Sequence, residues 1–120
     1  YLACGGLHKA QNPFGFGNET CVLLFDWDSQ KLVRQMVVKE QKQGVVWQVA
    51  FHPDGFLVGG IGTDYNWGLA FWKPDQENEF FKLKLPGIVR EMDMHPDGVR
   101  LATSHSDRHL RITRMAAKKT

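Results

Sequence analysis

Two histidines are the side chains of this sequence best suited to chemistry, and they recur in the same setting. His52 and His95 lie 43 residues apart, and each begins a His-Pro-Asp-Gly tetrapeptide. Imidazole is a common zinc ligand, but two histidines without a carboxylate partner make a poor metal site. We therefore interpret both histidines as solvated turn residues, and we expect neither a metal ion nor a cofactor.

Other chemical motifs are weaker still. Asp26 and Asp28 have the spacing of alternate calcium ligands, but the glycine and the terminal glutamate of a calcium loop do not follow them. A turn at the end of a strand explains this pair better. The sequence contains no Gly-x-Ser-x-Gly motif, no phosphate-binding loop and no paired-carboxylate spacing. We expect no catalytic residues in this chain and a protein that is not an enzyme.

Composition argues against two further classes of protein. The 120 residues include 15 basic and 13 acidic side chains, and Lys118 and Lys119 lie at the very end. The body of the chain is therefore nearly neutral, which disfavours nucleic-acid binding. The longest strictly apolar run, residues 21–25, is far shorter than the roughly 20 residues that span a bilayer, so we expect no membrane contact. Cys4 and Cys21 are interpreted as buried, reduced thiols, with a disulfide between them as the alternative.

The repeated tetrapeptide indicates the elements that must surround it. In each copy, proline, aspartate and glycine supply the chemistry of a tight turn. Short segments with the period of two of a half-buried strand precede both copies, at residues 49–51 and 92–94. The turns therefore join strands of hairpins. Their residues are His52, Pro53, Asp54 and Gly55 in the first copy, and His95, Pro96, Asp97 and Gly98 in the second.

Further short strands complete a four-stranded meander. They are expected at residues 2–5, 22–26, 32–36, 57–58, 69–72, 80–85, 101–102 and 110–113, and no helix of useful length competes. The chain then divides into a partial unit at 1–40 with a long loop at 7–20, a complete unit at 41–86, a partial unit at 87–115 and a polar tail at 116–120. The first unit lacks its opening strand and the last lacks its fourth.

In these repeats the chain resembles the WD-repeat β-propeller family. The repeat length, the turn and the strand Leu101-Ala102-Thr103-Ser104 carry the resemblance. The family's Trp-Asp pair is represented by Phe25-Asp26, Trp72-Lys73 and Thr113-Arg114. The resemblance implies an all-β fold of propeller blades, about three in number, with Trp72 as a buried structural residue. It also implies a C-terminal fragment of a longer propeller, with Thr120 as the natural end and Tyr1 as an artificial start.

The loops between the second and third strands differ in length while the rest of the repeat is constant. They lengthen from the third unit to the second and are longest in the first. Equivalent loops of neighbouring blades emerge on one face, where repeat proteins usually bind partners. The candidate partner-binding residues there are Phe14, Phe16, Tyr65, Trp67 and Arg108, with His105 and His109 beside the last. Alternatively, the aromatic residues cap their own loops.

These observations favour a non-catalytic scaffold that binds through one face of the propeller. The expected partners are another protein or a neighbouring domain of the same chain, together with the remaining blades of the parent propeller. One alternative is a propeller enzyme or a small-ligand-binding propeller whose active residues lie in missing blades. Another is a purely structural role in closing the ring. The compartment stays open, with a slight preference for the cytoplasm.

Overall fold

The computed structural model describes residues 1–8, 19–38, 44–62 and 67–115. These residues form ten β-strands and no helix. No segment of this described part is therefore a helix long and apolar enough to cross a membrane. The strands are β1 (Leu2–His8), β2 (Glu19–Phe25), β3 (Leu32–Val37), β4 (Val45–Phe51), β5 (Leu57–Gly62), β6 (Trp67–Trp72), β7 (Phe81–Leu85), β8 (Val89–Met94), β9 (Arg100–His105) and β10 (Leu110–Arg114).

The strands form three antiparallel sheets, each a meander of consecutive strands. We call them the first sheet (β1-β2-β3), the middle sheet (β4-β5-β6-β7) and the last sheet (β8-β9-β10). The expected all-β class and the blade-like meanders are thus confirmed, although the sheets do not close into a propeller. Each sheet lies within one of the three units expected from the repeat. Phe80 is not part of β7, contrary to expectation, because its amide instead binds the carbonyl of Phe71 at the entrance to the strand.

Both His-Pro-Asp-Gly segments form the expected hairpin turns. The first joins β4 to β5, and the amide of Gly55 donates to the carbonyl of His52 at 2.8 Å. The second joins β8 to β9, with the equivalent bond from Gly98 to His95 at 2.9 Å. Gly55 and Gly98 have φ angles of 94° and 71°, which glycine adopts without strain. The repeated sequence therefore produces a repeated structure.

The sheets pack face to face, and the middle sheet is covered on both sides. Between the first and middle sheets lies a core of Val22, Leu24, Met36, Val38, Val46, Leu57, Ile61, Ala70 and Trp72. Between the middle and last sheets lies a second core of Val58, Leu69, Phe71, Met92 and Leu101. Every residue of β5 is consequently buried. Burial of these apolar side chains is the main force that holds the sheets together.

Glycines allow the close approach of neighbouring sheets. A Cβ atom added at Gly60 would lie 2.7 Å from Cγ1 of Val89 in the last sheet. A Cβ atom added at Gly5 would lie 2.5 Å from Cγ1 of Val46 in the middle sheet. Each glycine thus makes room for a branched side chain of the facing sheet.

The two cysteines differ in their surroundings. Cys21 is buried in β2, whereas Cys4 is exposed, and no disulfide joins them. The prediction that both thiols are buried was therefore wrong for Cys4. The reason is its position on β1, the edge strand of the first sheet.

Candidate functional site

The stacked sheets have two ends with different chemistry. We call the end with the two His-Pro-Asp-Gly turns the turn end. The opposite end, where β5 ends, β6 begins and the β7–β8 and β9–β10 connections lie, is the loop end. At the loop end, the amide of Ser106 donates to the carbonyl of Ile88 at 2.9 Å, and the amide of Ile88 donates to Oγ of Ser106 at 2.8 Å. These bonds hold the β7–β8 and β9–β10 connections side by side.

At the turn end, His52 links two successive repeats. The residue is only 7% exposed, and its Nε2 lies 2.6 Å from the carbonyl oxygen of Gly98 in the second turn. Its Nδ1 accepts a bond from the amide of Asp54 at 3.0 Å, so Nε2 carries the proton that is donated to Gly98. The ring also stacks on Phe56, with centroids 4.1 Å apart. The side chain of His52 therefore connects the middle sheet to the last sheet.

The prediction that both histidines are solvated was therefore wrong for His52. It is confirmed for His95, which is exposed and lies near Asp97 and Arg100 of its own turn. The difference arises because the last sheet covers the His52 side of the middle sheet, whereas none of the three described sheets covers the equivalent side of the last sheet. Among the described residues, no group of three histidine, cysteine, aspartate or glutamate side chains could hold a metal ion.

Two further polar contacts connect the stacked sheets. The indole Nε1 of Trp72 donates to the carbonyl of Val37 in the first sheet at 2.9 Å, and its ring is fully buried, as expected. The side chain of Gln48 both donates to the carbonyl of Met92 at 3.0 Å and accepts from its amide at 2.9 Å. Trp72 and Gln48 therefore tie the middle sheet to its neighbours on opposite sides.

The predicted partner-binding residues fall into three groups. Arg108 is exposed in the β9–β10 turn at the loop end, with a φ of 67°. Trp67 begins β6 and is half-buried against the core between the first and middle sheets. Phe14, Phe16 and Tyr65 lie outside the described residues.

The two histidines near Arg108, His105 and His109, differ in their exposure. His109 is exposed, but His105 is buried at the end of β9, where its Nε2 lies 2.6 Å from Oγ1 of Thr103. Nδ1 of His105 has no partner within the described residues. His105 therefore lies on the buried face of β9 together with Leu101 and Thr103, because β9 continues one residue further than the loop interpretation assumed.

Charge in the β9–β10 turn is already partly neutralised. Both guanidinium nitrogens of Arg111 bind the carboxylate of Asp107, at 3.0 and 2.7 Å. This pair and the amide of His109 hold the pKa of Asp107 well below its usual range. Arg108, next to Asp107, forms no ion pair with any described residue. It is therefore the cation of this turn that is available to a partner.

Two residues that the sequence interpretation missed stand near this end. The register of β4 shifts between Val46 and Gln48, and the register of β8 shifts between Val89 and Glu91. The residues left unpaired by these β-bulges are Trp47 and Arg90, which occupy equivalent positions of the two repeats. Cζ of Arg90 lies 4.7 Å from the Trp47 ring centroid. Trp47 is 46% exposed, and Arg90 is exposed as well.

Two open depressions lie on the outward faces of the terminal sheets. The one on the first sheet has a volume of about 360 Å³ and is lined by Leu2, Phe25, Asp26, Trp27 and Gln30. The one on the last sheet has a volume of about 300 Å³ and is lined by Asp93, Met94, His95, Pro96, Arg100, Ala102 and Ile112. Neither set of lining residues includes a serine, threonine or cysteine that could act as a nucleophile.

No protein-family model matches this chain. No curated protein matches it at a significant level of sequence similarity either.

Proposed function

We propose that this chain is a run of WD-type propeller blades and that it acts as a non-catalytic scaffold, binding another protein through its loop end. The observation that carries the proposal is a group of exposed residues at the loop end, in which the Trp47 ring and Arg90 contact each other. At the turn end, the side chain of His52 is buried in a contact between the middle and last sheets. At the loop end, Trp47, Arg90 and Arg108 are exposed, and neither arginine has an acidic partner among the described residues. Exposed tryptophan and arginine are the residue types that most often anchor protein interfaces.

The repeated contacts support the blade assignment. Gln48 and His52 bind the last sheet, and their equivalents one repeat later, Glu91 and His95, are exposed on the last sheet itself. Leu110 and Ile112 of the same sheet are also exposed, at 71% and 63%. The outward face of the last sheet thus carries the positions that form an interface one repeat earlier. A further blade of the parent propeller is the partner that this face fits.

A charge reversal at each end tests the binding face. The full chain is used as bait in quantitative affinity purification, and Arg108→Glu is compared with Arg114→Glu. Both arginines are exposed, but Arg114 pairs with Arg100 in register at the turn end of the last sheet. We expect Arg108→Glu to reduce recovery of the partner proteins, and Arg114→Glu to leave it unchanged. Equal recovery with both variants, or a loss confined to Arg114→Glu, would contradict the proposal.

A further inference from the structure

We infer that Trp47 and Arg90 form a binding site for a carboxylate of an acidic peptide segment in the protein partner. This inference rests on the proposed function and specifies its partner chemistry. Neither residue contributes to a hydrophobic core, and Arg90 forms no ion pair with a described residue. The site therefore consists of an exposed ring and an uncompensated cation that already contact each other.

The two β-bulges explain why these side chains meet. A bulge leaves one residue of the strand out of the ladder and redirects its side chain. On either side of Trp47, Val46 packs into the first core and Gln48 binds Met92 of the last sheet. Trp47 can point in neither of these directions and remains at the surface. The equivalent bulge in β8 presents Arg90 to the same surface, so the repeat itself builds the pair.

The position of the Trp47 ring places the pair at the loop end. A Cβ atom added at Gly62, the last residue of β5, would lie 2.9 Å from Nε1 of Trp47 and would also meet Ile88. Ile88 is bonded to Ser106 in the β9–β10 turn, which also carries Arg108. The ring is thus part of the surface on which the proposed function depends.

The geometry of the pair favours a carboxylate. The contact with the Trp47 ring, 4.7 Å from Cζ to the ring centroid, limits the motion of the guanidinium group of Arg90. The N–H donors lie in the guanidinium plane, and they match the two oxygens of a carboxylate. The exposed part of the indole then provides an apolar surface for the aliphatic portion of an aspartate or glutamate side chain. Arg108 adds a second cation at the same end.

A nucleic-acid partner fits these residues less well. A phosphate backbone carries one negative charge per nucleotide and is bound by several cations along a groove. The described part of the loop end offers Arg90, Arg108 and the neighbouring Lys84, with Arg111 already paired to Asp107. A few separate cations match single carboxylates of a peptide better than a continuous row of phosphates.

The test measures binding of defined probes to the full chain by fluorescence anisotropy. The first probe is a labelled dodecapeptide of alternating glutamate and serine, and the matched probe has glutamine in place of glutamate. We expect the glutamate peptide to bind and the glutamine peptide to bind at least tenfold more weakly. Arg90→Gln and Trp47→Leu should each weaken the glutamate peptide by about tenfold. Arg114→Gln removes the same charge at the turn end and should change binding less than twofold.

Several results would overturn the inference. These are equal affinity for the two peptides, an equal loss with Arg90→Gln and Arg114→Gln, or equally tight binding of a single-stranded thymidine dodecamer. Arg90→Lys keeps the charge but lacks the paired N–H donors of the guanidinium group, so it should retain an intermediate affinity. Wild-type affinity would show that the carboxylate does not use these paired donors. If Arg108→Glu abolishes partner recovery but the glutamate peptide does not bind, this inference fails while the proposed function stands. If peptide binding depends on Arg90 but partner recovery does not depend on Arg108, the carboxylate site stands and the proposed function fails.

Discussion

The Nε2 atom of His52 lies 2.6 Å from the carbonyl oxygen of Gly98, so the first residue of one His-Pro-Asp-Gly turn contacts the last residue of the next. The repeated tetrapeptide therefore does more than reverse the chain within each sheet. It also provides a hydrogen bond between successive sheets. His95, the equivalent of His52, has no such neighbour among the described residues, so the two histidines form an internal comparison.

We predict that His52→Ala lowers the free energy of unfolding by about 2 kcal/mol. The change removes a buried hydrogen bond and the stacking of the ring on Phe56. The matched change, His95→Ala, should cost no more than about 0.5 kcal/mol because that side chain is exposed. Urea unfolding of both variants measures the difference. Equal losses would contradict a stabilising role for the contacts of His52 with Gly98 and Phe56.

Trp72→Ala should destabilise the protein much more, by roughly 3 to 5 kcal/mol. The ring is fully buried between the first and middle sheets, and its removal leaves a large cavity. Trp72→Phe should cost less, because it loses mainly the bond to the carbonyl of Val37. Trp27→Ala, at a ring that is 69% exposed, is the control and should be close to neutral. Thermal and denaturant unfolding provide the measurement, and an unchanged midpoint for Trp72→Ala would exclude the packing described above.

Gly60→Ala tests the close approach of the middle and last sheets. The new methyl group would lie 2.7 Å from Cγ1 of Val89, so the sheets must move apart or distort. We expect a loss of about 1 to 3 kcal/mol, as is usual for an overpacked interior. Gly6→Ala is the matched control, since nothing lies within 4 Å of its added methyl group. If calorimetry gave the two variants the same melting temperature, the sheets would be less tightly packed than this structure has them.

Asp97 provides a prediction on pH. The backbone amide of Val99, followed by the amide and guanidinium of Arg100, lowers the pKa of this carboxylate from 3.8 to about 2. Because the folded state favours the ionised form, this carboxylate contributes stability above pH 3.8 that is lost as the pH falls towards 2. Asp97→Asn should therefore reduce the fall in melting temperature between pH 5 and pH 2.

The equivalent variant in the first turn serves as the control for this pH experiment. The carboxylate of Asp54 accepts no hydrogen bond from a described residue, and its side chain is 80% exposed. We expect Asp54→Asn to change the fall in melting temperature between pH 5 and pH 2 less than Asp97→Asn does. The account of Asp97 would be wrong if Asp97→Asn behaved in the same way as Asp54→Asn.

Local sequence predicted the strands well because turn chemistry and apolar alternation act within a few residues. The two hairpin turns and the three meanders follow directly from the repeated tetrapeptide and its flanking strands. Burial of His52 did not follow, since His52 and His95 begin identical tetrapeptides and differ only in which sheet covers them. The exposure of Cys4 likewise depends on β1 being an edge strand. Such differences arise from packing between sheets, which the local sequence pattern does not determine.

The candidate site was predicted only in part. Arg108 was found from its loop, but Trp47 and Arg90 were not, because they lie inside strands that otherwise have ordinary patterns. A β-bulge has no strong sequence signal when neither residue is glycine. The 43-residue offset between Trp47 and Arg90 was present in the sequence, but it had no meaning until the two bulges placed both residues at one surface.

Site-specific photo-crosslinking tests the central claim, that the loop end is the protein-binding end, most directly. The full chain carrying Arg108→p-benzoylphenylalanine is irradiated in its cellular setting, and the same probe at Asp54→p-benzoylphenylalanine reports on the exposed turn end. We predict discrete protein adducts from position 108 and few or none from position 54. Adducts from position 54 alone, or equal and non-discrete adducts from both positions, would contradict the account.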